Sequence, residues 1–256
     1  MSLTLHGVCL ALLHETSSTP DAFFFSFVVN HFAVLRNVGI EPVSYKYYDP
    51  KTIGLACNEL LENLSSAPDR SVILLHACAH NPTGVDPTRE QWSQIADLML
   101  KKRHHAFFDC AYQGFASGDL DRDAWAVREF IKRGVPSLIC QSFAKNAGLY
   151  GERVGALHIV ASSSQVADKV RSQLSVLARS EISNPPAHGA RLVALILNTP
   201  ELFDQWREDI KTMASRIIKM REELYKLLTE LKTPGTWDHI VDQIGMFRCG
   251  TLPSHA

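Results

Sequence analysis

Lys145 is the residue whose surroundings speak most directly of chemistry. It lies in Gln141-Ser142-Phe143-Ala144-Lys145-Asn146, and Gly148-Leu149-Tyr150 and Glu152-Arg153-Val154-Gly155 follow. A lysine after a strand is ordinarily solvated, but a placed amine can act as a nucleophile and move a proton. Two other polar stretches accompany it, His76-Ala77-Cys78-Ala79-His80-Asn81-Pro82-Thr83-Gly84 and Asp109-Cys110-Ala111-Tyr112-Gln113-Gly114-Phe115-Ala116-Ser117-Gly118. Asp109 supplies an anion, and Tyr112 adds a hydroxyl three residues later. Ser142 and Arg153 flank the lysine, and a guanidinium fork suits a phosphate because it makes two parallel charge-assisted bonds.

Each of these has a plainer reading. Asn81-Pro82 is ordinary turn chemistry, an arginine usually stands on the surface, and an aspartate often caps a helix, although no helix begins at once after Asp109. His76, Cys78 and His80 alternate, so on a strand they would share one face, and imidazole and thiolate suit zinc. No fourth ligand or glutamate-bearing helix motif accompanies them, and no metal is expected.

The stretches sit after elements that must hold them. Ser71 to Cys78, His105 to Tyr112 and Pro136 to Phe143 read as strands, the first and last apolar enough to be buried on both faces. Val43 to Tyr48 and Ala156 to Ala161 are further strand candidates. Thr52 to Leu64, Glu90 to Arg103, Ala124 to Arg133 and Gln165 to Ala178 carry helical spacing. This alternation predicts an α/β fold with a mostly parallel sheet, whose ligands lie beyond the carboxyl ends of the strands. After Asn184-Pro185-Pro186 come an apolar helix, Ala187 to Leu197, a break at Pro200, and a long amphipathic helix. There Ile210, Met213, Ile217, Met220, Leu224, Leu227, Leu228 and Leu231 are expected to form one buried face.

In order and spacing the motifs resemble those of the class I aspartate aminotransferases, over about Asn30 to Phe247. The resemblance implies a PLP-dependent transferase-like large domain with the start of a small C-terminal domain. Residues 1–29 form a non-family segment, 30–200 a partial large domain, 201–247 the helix leading into a partial small domain, and 248–256 a divergent tail. It implies pyridoxal 5′-phosphate as cofactor and Lys145 as the Schiff-base lysine that also moves the proton. Asp109 would face the pyridine nitrogen, with His76 behind it. Asn81 and Tyr112 would reach the phenolic oxygen, and Ser142 and Arg153 the phosphate. Asn81 would also touch substrate, and Arg179, five residues before Asn184, would bind the distal carboxylate. In the family that arginine comes from the neighbouring subunit, so a homodimer is implied. The implied reaction moves the amino group between L-aspartate and 2-oxoglutarate, giving oxaloacetate and glutamate. The alternatives are a class I aminotransferase of broader or aromatic specificity, or an inactive, truncated remnant serving as a binding partner.

The ends depart from that pattern. Val28 stands where the family has a tryptophan stacked on the cofactor, and the small-domain arginine for the substrate α-carboxylate has no counterpart. Both ends are expected to be truncations, the N-terminal one just after the phenylalanine-rich Phe23 to Phe27. Composition narrows the rest. With 256 residues, 46% hydrophobic, and 26 basic against 27 acidic residues, the chain can bury a sizeable core. It has no basic excess for nucleic acid or an anionic membrane. The six cysteines form no CxxC pair, as expected of reduced thiols in an intracellular protein. A cytoplasmic location is expected, with a mitochondrial one left open.

Overall fold

The computed structural model describes residues 23–25 and 29–246. In chain order these begin with β1 (Phe23–Phe25), α1 (Val29–Asn37), β2 (Pro42–Ser44), the short pair β3 (Tyr48–Asp49) and β4 (Gly54–Leu55), and α2 (Cys57–Ser66). Next come β5 (Val72–His76), α3 (Arg89–Lys101), β6 (His105–Cys110), α4 (Leu120–Asp123), α5 (Trp125–Arg133), β7 (Ser137–Ser142) and β8 (Gly155–Ile159). Four helices close the series: α6 (Ser164–Ile182), α7 (His188–Asn198), α8 (Pro200–Glu230) and α9 (His239–Asp242).

Six strands make one sheet in the order β2-β1-β5-β6-β7-β8. All neighbours are parallel except β7 and β8, which run antiparallel at one edge. The expected α/β class and mostly parallel sheet are therefore present. β1 is an addition: it lies inside the segment assigned to residues 1–29, yet it pairs with both β2 and β5. A run of phenylalanines has the β-propensity for such a place, but without alternation nothing in it announces a partner.

Successive residues of a strand point to opposite faces, and here that rule divides the core. Ile73, Leu75, Phe108 and Ile139 face α2, α3 and α5, packing with Leu60, Leu64, Trp92, Ile95, Met99 and Phe130. Val72, Leu74, Phe107, Leu138 and Cys140 face the other way, onto Val34 and Leu35 of α1. Phe130 is fully buried, edge-on to both Phe108 and Trp92 at centroid distances of 5.1 and 5.7 Å. Local signals set the helix ends. Thr88 and Gln91 exchange hydrogen bonds in a capping box at the start of α3. Gly134, at φ 82°, ends α5 in the left-handed conformation.

The long helix departs from expectation. α8 buries only Ile210 and Ala214, while Met220, Leu227 and Leu231 are 52%, 51% and 75% exposed. Its periodic stripe is real, but its fully buried residues are confined to the turn lying over the Gly114–Gly118 loop. A Cβ at Gly114 would stand 2.6 Å from Ile210 Cγ2. No described helix is long and apolar enough to cross a membrane. Cys57, Cys78, Cys110 and Cys140 are free thiols. Val28 and Phe247, at the two limits of the resemblance, lie outside the described residues.

Removing the aromatic pivot of the core gives a direct check. Phe130→Ala is expected to lower unfolding stability by about 3–5 kcal/mol, read as a lower denaturant midpoint with an unchanged slope.

Candidate active site

The same alternation that divides the core assembles the site. Continuing the α1-facing set along each strand gives Val72, Leu74 and His76, then Phe107 and Asp109, then Leu138, Cys140 and Ser142. Register then places His76 beside Asp109, and Asp109 beside Cys140. The strand ends thus exchange apolar for polar residues on one face, where α1 brings His31. His31 Nε2 donates to Asp109 Oδ2 at 3.1 Å, with the two residues 1% and 4% exposed. The polar atoms of His31, His76 and Asp109 lie within 4.8 Å of one another.

His76 was expected to orient the Asp109 carboxylate, but the hydrogen bond comes from His31. His76 Nδ1 instead accepts from the backbone N–H of Asn81 at 3.4 Å, because its ring turns toward the loop that follows β5. Since that nitrogen accepts, a neutral His76 carries its proton on Nε2. His31 had no assigned role. The signal was its spacing: His31, Val34 and Leu35 share one helical face, and all three are buried.

Burial alone would push the Asp109 carboxyl up, but the His31 hydrogen bond and the nearby positive charges outweigh it and hold its pKa below the ordinary value. Its second oxygen, Oδ1, is buried with no hydrogen-bond partner among the described residues. Lys145 follows the end of β7, in a turn closed by the Gly148 N–H donating to the Lys145 carbonyl at 3.0 Å. The lysine is half-buried, and its Nζ stands 4.9 Å from the Tyr112 ring centroid. Burial, with the Arg153 charge behind it, lowers its pKa against the pull of Asp109.

Tyr112 is pushed up to about 12, first by burial and then by Asp109, while a hydrogen bond with Asn81 opposes the rise. Asn81 and Tyr112 therefore meet beside the lysine. Ser142 is buried, its Oγ accepting from the Ala144 N–H at 3.2 Å. Arg153 is exposed at φ 51°, and its Nη1 donates to the Tyr150 carbonyl at 3.1 Å. Arg179 stands apart: exposed in the last turn of α6, it donates to Ser183 Oγ at 2.6 Å.

The alternation of His76, Cys78 and His80 does not survive folding. β5 ends at His76, and Ala79 takes a left-handed φ of 48°. Cys78 packs with Ala111, Tyr112 and Phe115, and His80 stacks on Tyr47 at 3.8 Å. From the far side α8 touches the loops in turn. Trp206 Nε1 donates to the Asn146 carbonyl at 2.9 Å, Ile210 packs on Gly114, and Arg221 holds the carbonyls of Ile240 and Gly245 at 3.0 and 2.8 Å.

Burial lowers the His76 pKa well below 6.5 and that of His80 to about 3. Both are neutral when folded, but unfolding lets them protonate near the ordinary pKa. Their stabilising contribution is thus complete above about pH 6.5 and is lost as pH falls below it, for His80 down to about pH 3. Asp86, raised by burial to about 6, acts in the opposite sense between about pH 4 and 6. The melting temperature is expected to fall from pH 7 to pH 5, and more shallowly in His80→Gln. An identical pH slope in that variant would contradict the assignment.

Comparison with known proteins gives the family. The sequence model of the family described as aminotransferase class I and II matches residues 29–255, past Phe247, where the resemblance was read as stopping. Over 217 residues the chain is 54% identical to the cytoplasmic aspartate aminotransferase of Schizosaccharomyces pombe, which covers 85% of this chain and 53% of that protein. Over 218 residues it is 51% identical to the mitochondrial aspartate aminotransferase of Gallus gallus, covering 85% and 52%. The solved cytoplasmic aspartate aminotransferase of Saccharomyces cerevisiae superposes with a TM-score of 0.90 at 46% identity, over 96% of this chain and 62% of that one. The broad specificity aminotransferase of Leishmania mexicana does so with a TM-score of 0.91 at 44% identity, over the same shares. The chain spans about half the length of the curated relatives it matches. It belongs to the aminotransferase class I and II family.

Proposed function

We propose that the protein to which this chain belongs is a pyridoxal-phosphate-dependent transaminase, moving the amino group between L-aspartate and 2-oxoglutarate. The observation that carries this reading is the buried Asp109 carboxylate. One of its oxygens is taken by His31 and the other has no partner among the described residues, in the same cluster as a half-buried lysine of lowered pKa. A buried acceptor without a donor is costly, and a protonated pyridine nitrogen is a donor that would satisfy it. The donor set therefore fits the cofactor, which when bound supplies an aldehyde for an amine and an electron-accepting ring.

The chain's own residues then divide the work. Lys145, its pKa lowered by burial, would bind the aldehyde carbon and, when released, carry a proton to and from the substrate α-carbon. Asp109, kept anionic by His31, would hold the proton on the ring nitrogen. Tyr112 and Asn81 would hydrogen-bond the phenolic oxygen, and Ser142 and Arg153 would take the phosphate. The identity with aspartate aminotransferases supports the substrate choice. Arg179, exposed on a helix that buries none of its residues, would bind a substrate carboxylate in a neighbouring subunit of a homodimer. By the same analogy the compartment is cytoplasmic or mitochondrial, as named for the relatives.

Borohydride reduction of the chain with pyridoxal phosphate is expected to leave one stoichiometric adduct on the peptide containing Lys145. It should be abolished by Lys145→Ala and diminished in Asp109→Ala. Adducts scattered over surface lysines, and unchanged in Lys145→Ala, would reject the assignment.

A further inference from the structure

The loop carrying Asn81 is held by a residue outside the site. After His76 the chain reverses through Ala79, whose left-handed φ of 48° is a conformation a side chain rarely adopts. Three consecutive N–H groups at the reversal are caught by side chains. Asp86 Oδ2 accepts from Ala79 at 2.6 Å, Asp86 Oδ1 accepts from His80 at 2.9 Å, and His76 Nδ1 accepts from Asn81 at 3.4 Å. The carboxylate thus closes a ring across Asn81-Pro82-Thr83-Gly84-Val85. Around the ring, Thr83 Oγ1 bonds His80 Nδ1 at 2.8 Å, and the Ile244 N–H donates to the Gly84 carbonyl at 2.7 Å. Gly245 presses from the other side, since a Cβ there would stand 2.5 Å from Ala79 Cβ.

We propose that Asp86 is a positioning residue for Asn81: by holding the Ala79 and His80 amides it aims the Asn81 side chain at the Tyr112 hydroxyl beside Lys145. This rests on the proposed function only for its consequence, that Asn81 and Tyr112 then meet the cofactor's phenolic oxygen together. A neutral amide in place of Asp86 can accept from one N–H but would set its own NH2 against the other. The strained turn would then lose half its support while the fold around it keeps its apolar packing.

A double-mutant cycle on cofactor affinity, read by equilibrium dialysis with pyridoxal phosphate, tests this. Asp86→Asn is expected to weaken binding about tenfold, the scale of one charge-assisted hydrogen bond lost. The same change made on top of Asn81→Ala should add almost nothing, because the two act as one unit. Wild-type affinity in Asp86→Asn, or fully multiplicative losses in the double variant, would overturn the proposal. The question is also read without cofactor. In the unloaded chain Tyr112→Phe should shift the Asn81 side-chain amide resonances, and Asp86→Asn should remove that response; a retained response counts against Asp86. A wild-type chain that binds no pyridoxal phosphate would instead count against the proposed function, with the resonance test still deciding on Asp86. Should Asp86→Asn fail to melt cooperatively, Gly245→Ala displaces Ala79 with Asp86 intact and is expected to give the same loss of response.

Discussion

A carboxylate taken out of water is the constraint around which this chain is arranged. Asp109 is almost fully buried, and a charge in that position is tolerated only where hydrogen bonds and opposite charges replace its solvation. α1 must therefore lie against the sheet so that His31 reaches one oxygen. β5 and β7 must keep register with β6 so that the carboxylate sits among polar ends and not among the leucines one pleat below. Lys145 and Tyr112 depend on the same anion, since it opposes the lysine's loss of charge and raises the phenol's pKa. A one-residue slip of β6 would turn Asp109 to the α2–α3–α5 face, into the place Phe108 now holds against Trp92 and Phe130.

Much of this was legible before any coordinates. The buried strands were visible as apolar runs, and parallel strands must deliver the polar stretches at their carboxyl ends to one edge; within those stretches it was the resemblance to the family that singled out Lys145, Asp109, Tyr112, Asn81 and Ser142. What was not legible depended on side-chain direction over long sequence separations. Whether His31 or His76 meets Asp109 depends on how a loop turns after β5, and the left-handed Ala79 that decides it carries no mark in its residue type. β1 was missed because three phenylalanines show no alternation. The stripe on α8 was read correctly as periodic and wrongly as buried, since periodicity states which face is apolar but not what covers it.

Exposure along α6, α7 and α8 has a common physical sense. Val176, Leu195, Met220 and Leu227 stand in water, in helices flanking a sheet whose own core is closely packed. The sheet's two apolar faces, by contrast, are packed on α1, α2, α3 and α5.

α8 is a rod that reports one movement to three places. Trp206 meets the lysine loop, Ile210 the loop after β6, and Arg221, through Gly245 and Ile244, the loop after β5. From Trp206 to Arg221 the rod spans roughly 22 Å at 1.5 Å per residue. A tilt about its middle would lower one end loop while raising the other, whereas a slide along its axis would carry all three together. The three loops are therefore anchored to one helix, which fixes their heights relative to one another.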